Sequence, residues 1–446
     1  MDQEKLLQIQ SLPTPRRRLV HFGVSALLLW LGARYLHFGN PESISFLEDD
    51  RPWPLPSGVS IDHCAEWSEH SELNAIDEFP YSAEARFELP VSTDTLFLIS
   101  RHLARRDRNT LFSTGHVHFL QSEHASDSVK VDVTAHYRRE KHLEAAKACL
   151  LERDGAKSGV GFLTEWDHEG GRRHNHEKLR FQVTVTFPRT SDKSSLSINN
   201  LSTDLLIFSQ TFGDLSNIAF KSLLLKGAVG GILAESLFTK TASIGTSVGP
   251  IKIQSLLTES ANVTNSVGPI EGTFSASKSL TLSTSNGALN VDVNLSNDAE
   301  GEATQLKLFN NIASIRGNIT LTSAKDGAAT KFDIHARTST SPLALDVLDA
   351  PLGANITLRG SSSFGPVDVS LPTTFEGVFD AATSLSKVSV TFDEEAEDPA
   401  GEGRNRRGEY ERVGGTTRGT IGWSEEGKTR GLVSVRTSVA PVTLRF

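Results

Sequence analysis

Cysteine and methionine are scarce in this chain of 446 residues, which has two cysteines and one methionine. Two cysteines without C-x-x-C spacing exclude a structural zinc finger and the dense disulfide framework of a small secreted domain. Strong charge of one sign is also lacking, because 45 basic and 54 acidic residues give a net charge of −9. No basic face typical of nucleic-acid binding emerges, and we predict no nucleic-acid partner.

Sequence signatures of catalysis are missing as well. The chain has no G-x-S-x-G, no P-loop, no H-E-x-x-H and no dinucleotide fingerprint. Asp167, His168, Glu169, His174 and His176 form a His/carboxylate cluster of a kind that can bind a metal, but we interpret them as soluble residues of a loop. We predict no metal, cofactor or catalytic residue, and therefore a non-enzymatic protein. The alternative is a carbohydrate-active enzyme on a β-helix scaffold, whose carboxylate pair would meet only in space.

What the chain does contain is a repeat with a spacing of 19 residues across residues 217–292. The turn sequence VGPI of residues 248–251 returns at residues 267–270 and softens to NGAL at residues 286–289. Fixed-period self-similarity is the mark of a repeat architecture. Looser copies of the turn follow at residues 310–315, 339–343, 363–367 and 437–442.

Apolar and polar columns run through the aligned repeats. The apolar columns are Leu225, Ile244, Val263, Leu282; Leu223, Ala242, Ala261, Leu280; and Ile232, Ile251, Ile270, Leu289. The polar columns are Leu224, Ser243, Asn262, Thr281, and Lys252, Glu271, Asn290. Such alternation predicts strands with one face inside, and the Gly, Pro and Asn between them predict tight turns.

Two mainly β architectures fit these units. In a β-solenoid (parallel β-helix-like), repeats of roughly 19–28 residues would each form one coil and like residues would stack. In an antiparallel β-sandwich each unit would be a hairpin. We favour the solenoid because one unit buries little by itself, whereas stacked units share a core.

The amino-terminal region predicts a membrane anchor. Residues 1–18, which end in Arg16-Arg17-Arg18, are predicted to be a cytoplasmic tail, and residues 19–38 a transmembrane signal anchor. Arginines on the amino side favour a lumenal or extracellular location for the bulk of a single-pass protein, at the plasma membrane, cell wall or secretory pathway. A cleaved signal peptide and a buried core helix are the alternatives. Without insertion, the chain would be an intracellular interaction scaffold.

Three further segments complete the predicted organisation. Residues 39–83 form a Pro-rich stalk. Residues 84–190 form a β-rich cap of the solenoid with one helix at residues 140–152. Residues 191–446 form the solenoid, interrupted by a disordered charged loop at residues 393–415. The strand candidates in the cap are residues 85–89, 95–100, 116–121, 129–137, 161–166 and 179–187.

Two kinds of covalent modification are predicted. Cys64 and Cys149 would form a disulfide between stalk and cap in an oxidising compartment, and two free thiols are the alternative. Five N-x-S/T sequons are candidate glycosylation sites: Asn200, Asn262, Asn294, Asn318 and Asn355.

Several segments together resemble an uncharacterised fungal, mainly basidiomycete, domain-of-unknown-function family of membrane-anchored β-repeat proteins. They are WPLPSGVSIDHC (residues 53–64), ACLLER (148–153), VTVTFP (183–188), DPAGEGR (398–404) and TSVAPVTL (437–444). The repeats are similar to those of the bacterial putative-adhesin β-solenoid domain. The resemblance implies an adhesin-like or structural protein at the fungal cell wall. Its implied partners are the membrane, through residues 19–38, and a cell-wall glycan or surface protein.

Overall fold

The computed structural model describes residues 53–70, 79–104, 114–166, 179–192, 194–298, 301–325, 330–393 and 395–446. These residues form 27 strands joined in one mixed sheet, with one short α-helix and one 3-10 helix. The predicted tail and anchor lie outside the described residues. Among those that are described, no helix is both long enough and apolar enough to cross a membrane.

The strands are longest in the 19-residue repeats, where β11 to β14 have 17–20 residues. In chain order they are β1 Val59–Cys64, β2 Ser68–His70, β3 Tyr81–Pro90, β4 Thr95–Ala104, β5 Thr114–Ala125, β6 Ser128–Tyr137, α1 Glu140–Glu144, β7 Ala146–Arg153, β8 Ala156–Trp166, β9 Leu179–Arg189, β10 Leu196–Leu205, β11 Phe208–Gly227, β12 Ile232–Val248, β13 Ile251–Val267, β14 Ile270–Asn286, β15 Leu289–Asn297, β16 Thr304–Asn310, β17 Ile315–Ser323, β18 Lys331–Arg337, β19 Leu343–Asp349, β20 Asn355–Ser362, β21 Val367–Ser370, β22 Gly377–Thr383, β23 Val388–Thr391, β24 Arg407–Val413, β25 Thr416–Gly422, the 3-10 helix Gly427–Thr429, β26 Gly431–Thr437 and β27 Val442–Arg445.

Parallel, in-register pairing organises the repeats. Ile244, Val263 and Leu282 stand in one row across β12, β13 and β14. All three predicted apolar columns are buried, while Ser243 and Asn262 are exposed, because alternate side chains of a strand point to opposite faces. The predicted facing of the repeats is therefore confirmed. Hairpin units would pair antiparallel within each repeat, so the parallel register favours stacked coils.

The long strands β11 to β14 each take part in two ladders of paired strands. The first ladder runs β2, β3, β6, β9, β5, the first halves of β11 to β14, β15, β17, β19, β21, β27 and β23. The second ladder runs β1, β7, β8, β4, β10, the second halves of β11 to β14, β16, β18, β20, β26, β22, β25 and β24. We call each strand, or half-strand, of the second ladder together with the first-ladder strand that follows it in the chain a coil.

Apolar side chains from both ladders form one core cluster. Phe162 on the second ladder and Phe181 on the first have ring centroids 5.6 Å apart, and both are fully buried. Within the first ladder, Phe119 and Phe212 stack at 4.2 Å. Burying each such side chain stabilises the fold by about 1.5–3 kcal/mol. Packing between the inner faces of the two ladders therefore stabilises both.

The spatial order of the coils departs from chain order at both ends. The coil of β4 and β5 lies between that of β8 and β9 and that of β10 and β11. The coil of β26 and β27 likewise lies between that of β20 and β21 and that of β22 and β23. The last strands of the chain therefore attach β22 and β23 to the stack.

Antiparallel strands close the ends of the second ladder. At one end β7 and β1 cover β8, and at the other β25 and β24 cover β22. The outermost strand β24 is exposed at every position. It carries a charged side chain at every second position, at Arg407, Glu409 and Glu411. Charged side chains on an edge strand discourage pairing with another chain. Residues 84–190, predicted as a separate cap, supply both antiparallel strands and two coils of the parallel stack.

The prediction of a helix over residues 140–152 is wrong beyond the first turn. The helix α1 ends at Glu144, and residues 146–153 form β7, which lies between β1 and β8. Cys149, Leu150 and Leu151 are all buried. A strand covered on both faces loses the polar–apolar alternation of a half-exposed strand, and its continuous apolar run imitates the inner side of a helix.

The predicted stalk and the predicted disordered loop both contain paired strands where they are described. Within residues 39–83, β1 and β2 pair with β7 and β3, and Trp67 Nε1 donates to the Ala146 carbonyl at 3.0 Å. Within residues 393–415, β24 belongs to the second ladder, and Asp398 and Arg404 close the preceding turn with an ion pair of 2.9 Å. The Arg404 guanidinium holds the pKa of the Asp398 carboxyl below its usual range. Long-range pairing, which composition does not reveal, orders both segments.

Candidate functional site

A row of buried polar side chains lines the corner where the second ladder turns into the first. We call these residues the corner row: Thr246, Asn265, Thr284, Asn310, Thr338, Ser362, Thr437 and Thr383, in stack order. Each donates a hydrogen bond to a turn carbonyl of the preceding coil in the stack, at distances of 2.6–3.3 Å. The carbonyls belong to Gly230, Gly249, Gly268, Gly287, Ala313, Ser341, Gly365 and Ala440. The corner row thus satisfies backbone acceptors that strand pairing leaves open.

The accepting residue is small because the coils approach closely at this corner. Gly249 has φ 136°, and a Cβ built on it would lie 2.5 Å from the carbonyl oxygen of Gly230. Only glycine tolerates this conformation and contact easily. The segment Thr246-Ser-Val-Gly249 therefore encodes a donor at its first residue and, at its fourth, a glycine that leaves room for the preceding coil.

A polar groove of about 430 Å³ opens beside the corner row, toward the carboxyl-terminal end of the stack. We call it the basic groove. Its lining consists of two arginines, one alanine and hydroxyl residues: Arg337, Thr338, Ser361, Ser362, Ser363, Ala382, Thr383, Ser384, Thr416, Arg436, Thr437 and Ser438. Among the described residues that line it, none carries a carboxylate. The groove therefore offers cationic and hydroxyl groups to a ligand.

The floor of the basic groove is a single register row across five strands. Arg337 on β18 pairs with Ser361 on β20, which pairs with Arg436 on β26. Arg436 pairs in turn with Ala382 on β22, and Ala382 pairs with Thr416 on β25. Small side chains thus separate and flank the two arginines, which leaves the space between the guanidinium groups open.

Positive charge exceeds negative charge around the basic groove. Arg436 Nη2 lies 2.8 Å from Asp380 Oδ2, and Arg418 Nε lies 3.6 Å from the same oxygen, so two guanidiniums share one carboxylate. Arg337 is exposed and makes no ion pair with any described residue. Burial lowers the pKa of His335. Arg359, Arg337 and Lys307 lower it further, and Asp333 offsets part of their effect.

The outer side of the first ladder differs in charge. From β15 to β27 it carries Asp292, Asp346 and Asp368 against Arg316 and Arg445. Arg445 Nη2 lies 2.8 Å from Asp368 Oδ1. The positive field is therefore a local property of the second ladder, in a chain whose net charge is −9.

The structure brings the two predicted cysteines together. Cys64 on β1 and Cys149 on β7 face each other in the register of these strands and are joined by a disulfide with an S–S distance of 2.04 Å. The bond lies in a small apolar cluster with Phe97, Leu151 and Leu163. It therefore fastens the edge strand β1 to the second ladder.

The five sequon asparagines all lie on strands, and none is buried. Asn262, Asn294 and Asn355 are exposed, while Asn200 and Asn318 are half-buried. The side-chain nitrogen of Asn318 donates to Asp292 Oδ1 at 2.8 Å, and that of Asn200 to the Asp94 carbonyl at 2.9 Å. The structure thus leaves Asn262, Asn294 and Asn355 exposed as acceptors for a glycan.

The His/carboxylate cluster of residues 167–176 lies outside the described residues. Among the residues that are described, no group of three or more His, Cys, Asp or Glu is placed to hold a metal ion. His116 and His118 have ring centroids 6.2 Å apart, and His116 Nδ1 lies 2.8 Å from Ser209 Oγ. The contact with Ser209 on the neighbouring strand β11 is enough to explain the position of the His116 ring without a bound ligand.

Comparison with known proteins relates part of the chain to one family model. Residues 262–398 match a domain of unknown function (DUF7330). This segment holds β14 to β23 and Arg337, but it excludes Arg436. No curated protein sequence matches the chain.

Three crystal structures of bacterial proteins are similar over larger shares of the chain. A putative adhesin from Bacteroides fragilis is 12% identical, with 64% of this chain and 95% of that chain covered and a TM-score of 0.28. A putative cell adhesion protein from Clostridium sporogenes is 9% identical, with coverage of 82% and 99% and a TM-score of 0.15. A putative adhesin from Parabacteroides merdae is 12% identical, with coverage of 64% and 93% and a TM-score of 0.19.

Sequence reasoning missed the corner row and the basic groove. For the corner row a signal existed, because Thr, Asn or Ser stands two residues before every copy of the four-residue turn motif, including the unrecognised copy at residues 385–388. For the groove there was no comparable signal. Arg337 and Arg436 are far apart in the chain and become near neighbours only because β26 is inserted beside β20.

Proposed function

We propose that this chain is a non-enzymatic binding protein built as a β-solenoid. The observation that carries the proposal is the in-register parallel stacking of coils from β8 and β9 to β22 and β23. Stacked repeats contact only their neighbours and present long lateral surfaces on which outward side chains form rows. Such a surface suits an extended ligand better than a small molecule.

We further propose an adhesin-like or structural role at the cell wall of a fungus. In this proposal residues 19–38 anchor a single-pass protein whose bulk is lumenal or extracellular. The disulfide between Cys64 and Cys149 supports an oxidising compartment. The exposed sequon residues Asn262, Asn294 and Asn355 are compatible with glycosylation there.

Topology is tested with the full chain expressed in fungal cells. The expected result is an endoglycosidase mobility shift together with resistance to alkaline carbonate extraction. A variant with glutamine at all five sequon asparagines is the control and should show no shift. Extraction as a soluble protein with no shift would contradict the anchor and the lumenal location together.

Adhesion is tested separately with latex beads coated with the purified full chain. Coated beads should bind isolated wall fragments more than beads coated with heat-unfolded chain. The same incubation is assayed for new reducing ends. Release of soluble sugar would replace the binding proposal with the enzymatic alternative.

A further inference from the structure

We propose that the basic groove binds an acidic polysaccharide, through contacts of Arg337 and Arg436 with carboxylate groups of the polymer. The inference rests on the binding function proposed above and names its ligand class. It is carried by the register of the groove floor, by its unbalanced positive charge and by its hydroxyl lining.

The register row sets the spacing of the two cationic groups. Arg337 and Arg436 stand on either side of Ser361 on β20. Adjacent strands are about 4.8 Å apart, so the two Cα positions are separated by about 10 Å across the strands. Two arginines whose Cα positions lie that far apart, with only a serine between them, can contact two separate anionic groups of an extended ligand.

The guanidinium groups have capacity for such contacts. Arg337 is exposed and makes no ion pair with a described residue, and Arg436 is 61% exposed although it contacts Asp380. A guanidinium carries five N–H donors in a fixed planar arrangement that matches a carboxylate with two parallel hydrogen bonds. The guanidinium of Arg337 is therefore available to a ligand carboxylate. The guanidinium of Arg436 is available only in part, because it also contacts Asp380.

The remaining lining suits the hydroxyl groups of a sugar. Ser361, Ser363, Ser438 and Thr416 line the groove, and hydroxyls can donate to and accept from the hydroxyls of a glycan. The residue after Ser363 is Phe364, which is 62% exposed. An exposed aromatic ring beside a polar groove can pack against the apolar face of a sugar ring.

A nucleic acid fits these features less well. Duplex DNA carries one charge per about 1.7 Å of its axis, and proteins that bind it present many basic residues along one face. The basic groove supplies two arginines about 10 Å apart, in a chain with a net charge of −9. A polymer with widely spaced charges and many hydroxyls matches this arrangement better.

The test is a binding titration of the purified full chain in a non-ionic detergent. The probe is a polygalacturonate oligosaccharide, and its fully methyl-esterified form is the uncharged match. Arg337→Gln is the primary variant, because Arg337 has no ion pair whose loss could unfold the chain. Arg316→Gln is the control, since Arg316 is also an exposed arginine but lies on β17 of the first ladder.

The expected result is binding of the acidic probe, with affinity reduced about tenfold in Arg337→Gln and unchanged in Arg316→Gln. The unfolding midpoint of Arg337→Gln should equal that of the parent chain. Equal binding of the esterified probe, or an equal loss in both variants, would overturn the proposal. So would tighter binding of single-stranded DNA with the same dependence on Arg337.

The outcome is separable from that of the broader proposal. If coated beads adhere to wall fragments equally well with parent and Arg337→Gln chains, the groove assignment fails while the adhesive function stands. If beads do not adhere but the probe binds in an Arg337-dependent way, the adhesive function fails while the groove assignment stands.

Discussion

The corner row makes a prediction about a single asparagine. Thr246, Asn265 and Thr284 occupy one register row. Asn265 Nδ2 donates to the Gly249 carbonyl at 2.7 Å, but Asn265 Oδ1 is buried without a hydrogen-bond partner among the described residues. In Asn265→Thr the hydroxyl should reach the same carbonyl, as the flanking threonines do at 3.0 and 3.2 Å, and the unpaired oxygen is removed.

The expected changes in the free energy of unfolding follow from the cost of leaving a buried polar group without a hydrogen bond. A buried acceptor without a partner costs about 1–3 kcal/mol. Part of that is offset in Asn265→Thr by lost packing, so we expect a stabilisation of about 1 kcal/mol. A second variant, Thr246→Val, should have the opposite effect on stability, because it leaves the Gly230 carbonyl without its side-chain donor. The added methyl recovers at most about 0.8 kcal/mol, so a destabilisation of about 1–2 kcal/mol is expected.

Hydrogen exchange is the suitable assay, because stacked coils can open locally rather than all at once. Backbone amides of β12, β13 and β14 should exchange more slowly in Asn265→Thr and faster in Thr246→Val, relative to the parent chain. Asn265→Val is a matched control that removes donor and acceptor together. If Asn265→Thr were as unstable as Asn265→Val, the hydroxyl-to-carbonyl bond would not explain the corner row.

Three further predictions concern the core, the disulfide and the order of coils. Ile251→Asp should unfold β12 to β14 locally, because a fully buried side chain becomes an unpaired charge. Lys252→Gln, which breaks an exposed pair with Glu271 at 2.9 Å, should cost under about 1 kcal/mol in a urea titration. Cys149→Ser should lower stability by about 2–5 kcal/mol in thermal unfolding, and a reductant should then have no further effect. Deleting residues 431–446 should expose residues 377–422 to limited proteolysis, whereas unchanged resistance would contradict the inserted position of the last coil.

The alternation of polar and apolar residues predicted much of the fold where one face of each strand is exposed to solvent. The apolar columns at Ile244, Ile251 and their equivalents are buried, and all six strand candidates of residues 84–190 fall within observed strands. The pattern failed where burial is two-sided. In β7, Leu150 packs into the main core on one face, and Cys149 packs on the opposite face into a second apolar cluster with residues of the segment 53–64. No alternation remained to separate strand from helix.

The repeat, the facing of its columns and the turns between strands could be predicted from residue order, because period and turn chemistry are local properties. Which coils are neighbours depends on contacts between segments that are far apart in the chain. The insertion of β26 beside β20 depends on edge pairing between distant segments, which leaves no periodic trace. That insertion places Arg436 two strands from Arg337, so the basic groove exists only in the folded stack.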